Sequence, residues 1–124
     1  MKVKKLLGNK PKKVSTVSPD TSVFDAMKLM SKKETDALVV SENGKMVGII
    51  TSSDYDRRVI LKGKKSKYTQ VRDIMTSKVM YTSPKQKLDK CLSMMTNNRF
   101  HHLPVLENDR LVGLLSIEDI RKYT

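Results

Sequence analysis

Two stretches of this sequence carry chemically useful residue types at a shared spacing: Gly48-Ile49-Ile50-Thr51-Ser52-Ser53-Asp54 and Gly113-Leu114-Leu115-Ser116-Ile117-Glu118-Asp119. The common pattern is Gly, two apolar residues, Thr or Ser, two further residues, then Asp. A hydroxyl followed three residues later by a carboxylate, directly after an apolar run, marks a helix N-terminus. The hydroxyl accepts from the backbone N–H three residues on, and the carboxylate reaches back. As a cap alone this contributes about 1 kcal/mol. The same atoms also suit a ligand. Unpaired N–H groups and the positive end of the helix dipole attract phosphate. The hydroxyl can bind it as well, while the carboxylate can hold a ribose diol through two O–H···O⁻ bonds. A lone Thr-x-x-Asp says little; two copies in register, each after an apolar run, say more.

Other reactive side chains lie around these endings. Arg57 and Arg58 follow Asp54 by one turn, and Arg121 and Lys122 follow Asp119. Arg57 could reach a phosphate; the plain alternative is a solvated helix face. His101 and His102 are adjacent on an expected strand, so their side chains face opposite ways and cannot ligate one ion side by side. Cys91 falls on an apolar stripe and reads as a small buried hydrophobe. The methionines read mainly as gap-filling core. No nucleophile is accompanied by a base and an orienting acid, so no catalytic residues and no enzymatic activity are expected.

The elements that position these residues come from a repeat. Shifted by 65 positions, residues 13–57 overlie 78–122 without a gap, and 12 of the 45 pairs are identical, among them Pro19/Pro84, Met30/Met95, Gly48/Gly113 and Asp54/Asp119. Upstream, Val71-Arg72-Asp73-Ile74-Met75 echoes Val3-Lys4-Lys5-Leu6-Leu7 at a spacing of 68, so the first copy has three extra residues within Gly8–Lys13. Each copy reads β-α-β-β-α. Short strands over Val14–Val17 and Val79–Thr82 stop at Ser-Pro. Val23, Ala26, Met27 and Met30, and Leu88, Cys91, Leu92 and Met95, each trace one helical stripe. Ser22 ends a capping stretch ahead of the first helix, whereas Lys85-Gln86-Lys87 is a weak start signal. Ala37–Ser41 and Met46–Thr51 flank Asn43-Gly44, and Leu103–Leu106 and Leu111–Ser116 flank Asn108-Asp109, both read as type I′ hairpin turns. Final helices are expected from Ser52 to about Leu61 and from Ile117 to Tyr123. A 45-residue unit of this kind cannot close its own core. The expected fold is therefore α+β: two β-α-β-β-α repeats, residues 1–67 with a basic linker at 62–67 and residues 68–124, packed as a pseudo-two-fold sandwich with a cleft.

Composition narrows the function classes. The 124 residues include 25 Lys+Arg against 13 Asp+Glu, a formal charge of +12, which favours anionic partners. A single Cys excludes an internal disulfide, and no Cys/His cluster suggests zinc or another metal. No apolar run approaches the ~18 residues of a membrane helix. The basic start gives way to Gly8 too soon for a signal peptide. A cytoplasmic setting is expected.

With these motifs in hand, the sequence resembles a tandem pair of CBS (cystathionine-β-synthase) domains, the Bateman module. The resemblance covers nearly the whole chain. It rests on the element order, the Gly-x-x-Thr/Ser-x-x-Asp endings, and Phe100-His101-His102-Leu103-Pro104-Val105, which is similar to the family's basic residues ahead of Leu-Pro-Val. It implies a regulatory module that binds an adenine nucleotide (AMP, ADP or ATP) or an adenosyl compound such as S-adenosylmethionine, and that forms a homodimer. It joins Thr51, Ser53 and Asp54, with Arg57 nearby, to Met80, His101 and His102 in one cleft. It joins Ser116, Glu118 and Asp119 to Ser15, Asp36 and Ala37 in the other. The first copy departs from the pattern at Asp36-Ala37-Leu38-Val39-Val40, which lacks both the basic residue and the Pro. The second set therefore offers Asp36 and Glu118 where the first offers histidines. It is expected to refuse di- and triphosphates and to stay empty or take adenosine or a zwitterionic adenosyl ligand.

The alternative class is a basic nucleic-acid- or protein-interaction module, with Lys10, Lys12, Lys13 and Lys62–Lys67 as its surface and the cleft purely structural. Aromatic residues at 5%, none among the N-terminal lysines, give base stacking little support. Because no effector domain is recognisable, regulation is expected to act on a separate effector protein or through oligomerisation.

Overall fold

The computed structural model describes residues 1–8 and 14–123. Lys10, Lys12 and Lys13, offered as a basic surface, and most of the stretch bearing the three extra residues, lie outside the described residues. Along the chain the elements are α1 (Val3–Leu7), β1 (Thr16–Val17), α2 (Val23–Lys33), β2 (Ala37–Glu42), β3 (Lys45–Thr51), α3 (Ser52–Tyr55) running into a π-helical turn (Asp56–Ile60), 3₁₀ turns at Ser66–Tyr68 and Val71–Asp73, α4 (Leu88–Asn98), β4 (His102–Glu107), β5 (Arg110–Ser116) and α5 (Ile117–Arg121). They form two compact units. One is Ser15–Val79; the other combines Met1–Val14 with Met80–Thr124.

In the Ser15–Val79 unit, β1 runs parallel to β2 (Thr16 opposite Val39), and β2 is antiparallel to β3 (Leu38 opposite Ile50). The β2–β3 turn has Asn43 at φ 55° and Gly44 at φ 78°, the two positive angles a type I′ turn requires. Ser22 opens α2 by accepting from the Asp25 N–H at 3.0 Å. Val23, Ala26 and Met30 of its stripe are buried against Leu38, Val40 and Ile50 of the sheet, with Met27 half-buried.

The other unit repeats the plan. β4 is antiparallel to β5 (Leu103 opposite Leu115), joined through Asn108 and Asp109 at φ 52° and 63°. Leu88, Cys91 and Met95 of α4 are buried against Leu103, Val105 and Leu115. Lys87 precedes α4 with no side-chain cap, in keeping with the weak start signal. The first strand of this copy shrinks from the expected Val79–Thr82 to a single parallel pairing, Thr82 with Val105. Its ladder is two bonds: Thr82 N–H to the Pro104 carbonyl and Leu106 N–H to the Thr82 carbonyl, both 2.9 Å. In the first copy the strand is likewise shorter than Val14–Val17. The proline at 19 or 84 leaves little length to pair.

The short lead-in segments dock in a crossed fashion. Val3–Leu7 packs on the second repeat, where Val3 N–H donates to Gln86 O and Lys4 N–H to Pro84 O, each 2.8 Å. Val71–Asp73 makes the equivalent bonds to the first repeat, Val71 N–H to Thr21 O at 2.8 Å and Arg72 N–H to Pro19 O at 3.0 Å. Val3 and Val71 are both fully buried. One such valine contributes roughly 1.5–3 kcal/mol to holding its segment. An Arg72–Asp20 ion pair adds a surface tie in the first case. The crossing explains the glycine in each motif. A Cβ at Gly48 would lie 2.9 Å from Thr76 O and 2.7 Å from Met75 Sδ, and one at Gly113 would lie 2.6 Å from Leu7 Cδ2. Glycine lets the lead-in lie flat against the strand.

Candidate ligand site

Both motifs fold as full capping boxes. At the end of β3, Asp54 N–H donates to Thr51 Oγ1 at 3.2 Å, and Thr51 N–H donates back to Asp54 Oδ2 at 3.0 Å. The Thr51 hydroxyl also donates to Oδ2, at 3.1 Å. Asp54 is 3% exposed, one of few buried polar residues among the described residues. Its second oxygen, Oδ1, accepts from Arg57 Nη2 at 3.2 Å, while Arg57 Nε donates to Ser53 Oγ at 3.3 Å. The Arg57 side chain is 60% exposed, so this clasp sits at the surface over a buried carboxylate. Thr51, Ser53, Asp54 and Arg57 are thus brought together as one hydrogen-bonded group.

The expected helix over Ser52–Leu61 is α-helical only to Tyr55. It then widens by one residue, with Leu61 N–H bonding Asp56 O at 3.0 Å. Such widened turns recur at functional sites. Arg58, on this turn, donates to the carbonyls of Ile74 (2.9 Å) and Met75 (3.4 Å). It fastens the turn to the docked lead-in, a structural role the sequence did not suggest. The spacing of Arg57 three residues after Asp54 was a usable signal for their pairing.

At the end of β5, Asp119 N–H donates to Ser116 Oγ at 3.1 Å and Ser116 N–H to Asp119 Oδ2 at 3.2 Å. Position 122, equivalent to Arg57, is Lys122, and no ion pair to Asp119 occurs among the described residues. Glu118 is exposed.

The remaining expected contacts gather at the same end of each sheet. In the Ser15–Val79 unit, Ala37 lies opposite Thr51, Ser52 N–H donates to Asp36 O at 2.9 Å, and Ser15 precedes β1. In the other unit, His102 lies opposite Ser116, Ile117 N–H donates to His101 O at 2.8 Å, and Met80 precedes the Thr82 pairing. His101 and Met80 are exposed, His102 half-buried. Each unit therefore carries one capped Asp together with the strand-start residues that the resemblance assigns to the other Asp.

Cys91 is fully buried, its thiol 3.4 Å from Thr82 Oγ1. Burial pushes that thiol above its ordinary value, with the Thr82 contact opposing. Among the described residues, no three His, Cys, Asp or Glu side chains converge as a metal site. In the basic linker, the Lys67 ammonium lies 5.1 Å from the centre of the Phe24 ring, and that of Lys28 lies 5.6 Å from it. Among the described residues, no helix is long and apolar enough to cross a membrane.

The CBS domain pattern matches residues 10–60 and 71–124. A putative signal-transduction protein with CBS domains from Burkholderia ambifaria superposes with a TM-score of 0.95 at 41% identity, over 99% of this chain and 93% of its own. The CBS domain pair of protein MJ0100, solved in complex with 5′-methylthioadenosine and S-adenosyl-L-methionine, superposes with a TM-score of 0.88 at 28% identity, over 99% of this chain and 94% of its own. The mitochondrial CBS domain-containing protein CBSX3 of Arabidopsis thaliana is 40% identical over 106 residues, 82% of this chain. The chain spans 52% of that relative's length, and 20% of the next Arabidopsis relatives.

Proposed function

This chain belongs to the CBS domain family, whose paired repeats are regulatory modules, and from that premise we propose that it senses an adenine nucleotide or adenosyl compound without transforming it. The observation that carries the reading is the Thr51–Asp54–Arg57 group: a buried carboxylate, oriented by a cap and reachable past an exposed guanidinium. A ribose diol donates to Asp54, and Thr51, Ser53 and Arg57 serve the phosphate end. Following the family resemblance, Met80, His101 and His102 complete this set. Ser116, Glu118 and Asp119 with Ser15, Asp36 and Ala37 form a second set, suited to a ligand without a di- or triphosphate. A carboxylate about 4 Å from a phosphate charge costs up to ~4 kcal/mol before screening, more than the 0.3–1 kcal/mol, roughly, that a helix dipole returns.

The relative that binds 5′-methylthioadenosine and S-adenosyl-L-methionine supports the adenosyl class. We take residues 1–67 and 68–124 as the two repeats, a homodimer as the assembly, and a separate effector protein as the regulated partner. The test is calorimetry with AMP, ADP, ATP, S-adenosylmethionine, NAD and short oligonucleotides. Saturable heat from an adenosyl compound whose affinity falls about ten-fold or more in Asp54→Asn supports the reading. Heat from oligonucleotides alone, falling steeply with salt, would replace it with the nucleic-acid class.

A further inference from the structure

An ionised carboxylate offers about four lone-pair positions. At Asp54 three are taken: two on Oδ2, by the Thr51 N–H and hydroxyl, and one on Oδ1, by Arg57. A ribose diol needs two, one for each hydroxyl. With Arg57 seated, only one remains. The Thr51 N–H is backbone and cannot turn away, and the Thr51 hydroxyl is engaged with Asp54 in both directions. Arg57 is the mobile member, with most of its side chain in solvent. The repeat supplies an internal comparison. Among the described residues, the Asp119 carboxylate accepts from the Ser116 N–H alone, and Lys122 stands where Arg57 would.

We propose that Arg57 is a displaceable latch on Asp54 that sets the ligand class at the first cap. It competes with the ribose for Oδ1, and once displaced it offers its guanidinium to a phosphate on the same ligand. A nucleotide regains through its phosphate what it loses by unseating the latch; a nucleoside only loses. The first cap thereby selects phosphorylated adenosine compounds, while the unlatched second cap does not. This rests on the assignment of ribose to Asp54 made above.

The test compares adenosine and AMP by calorimetry on the full chain, as wild type, Arg57→Ala, Arg57→Gln and Asp54→Asn. The isotherm weakened in Asp54→Asn identifies the site being read. Competition acts on both ligands equally, so it shows in adenosine alone. An exposed ion pair contributes roughly 0.2–1 kcal/mol, so adenosine should bind up to about five-fold more tightly to both Arg57 variants. The phosphate contact shows in the ratio of AMP to adenosine affinity. That ratio should fall about ten-fold or more, the range for a hydrogen bond between charged groups. Adenosine binding unchanged or weakened by removal of Arg57, or an unchanged ratio, overturns the latch while leaving the ribose assignment standing. If neither ligand binds, or Asp54→Asn leaves every isotherm intact, the ribose assignment falls and the latch with it. Melting temperatures of the Arg57 variants within about 4 °C of wild type, the shift expected from so small a stability change, establish that folding is not the cause.

Discussion

Replacing Gly48 by alanine would place a methyl group 2.9 Å from the Thr76 carbonyl oxygen and 2.7 Å from Met75 Sδ. The Met75 thioether can swing aside, but the carbonyl cannot. It accepts from Ile49 N–H at 3.0 Å, and Thr76 N–H donates to Ile49 O at 2.9 Å, so the two backbones are locked in register there. Relieving the overlap means separating them. Overpacking of this kind costs about 1–3 kcal/mol, and weakening two backbone bonds costs up to ~1 kcal/mol each. Restricting the unfolded chain returns about 0.4–1 kcal/mol. The net expectation is a loss of about 2 kcal/mol, or some 8 °C in Tm at roughly 4 °C per kcal/mol for a chain of this size. At Gly113 the nearest atom, 2.6 Å away, is the tip of the half-buried Leu7 side chain, and nothing on the backbone is comparably close. Leu7 can rotate, so Gly113→Ala should cost about 0–1 kcal/mol after the same entropic return. The assay is urea denaturation followed by far-ultraviolet circular dichroism, with hydrogen exchange at the Thr76 amide as a local readout. Equal losses at the two glycines, or the larger loss at Gly113, would refute the docking geometry assigned to the lead-ins.

Asp54→Ala should weaken adenosyl ligands by about 1.5–3 kcal/mol by calorimetry, the range for hydrogen bonds to a charged group; a lower Tm with unchanged affinity per folded molecule would leave Asp54 as a cap only. The buried Cys91 thiol stays protonated at pH values where the unfolded chain ionises it. Its contribution to stability is therefore complete below the ordinary value of about 9 and is lost as pH rises through the higher folded value. Urea titrations of wild type and Cys91→Ala between about pH 8 and 10.5, bracketing that range, should show a steeper decline in wild type; parallel curves would remove the thiol from the account. Arg99 closes α4 at φ 58°, where glycine is unstrained. Arg99→Gly should therefore raise stability by up to ~1 kcal/mol, and a fall in Tm would show that the arginine side chain makes a stabilising contact.

The repeat, the stripes on α2 and α4, the two hairpin turns and the two capping boxes were legible in the amino-acid sequence because each depends on neighbours a few residues away. Asn43-Gly44 and Asn108-Asp109 specify positive φ angles locally, and Thr51/Asp54 and Ser116/Asp119 meet within one helical turn. Other features depend on partners far along the chain. Val3–Leu7 has the composition of a short basic helix and could dock on either repeat; packing places it on the second, with Val71–Asp73 on the first. That choice does not require the lead-ins to keep the repeats' spacing: the lead-ins match at 68 and the repeats at 65. It also gives Gly48 and Gly113 their purpose, which the motif alone left open. Arg57 and Arg58 are adjacent and alike in sequence. The widened turn sends one to a buried carboxylate and the other to the carbonyls of Ile74 and Met75, because helix geometry and the docked segment, not residue type, determine what each guanidinium can reach.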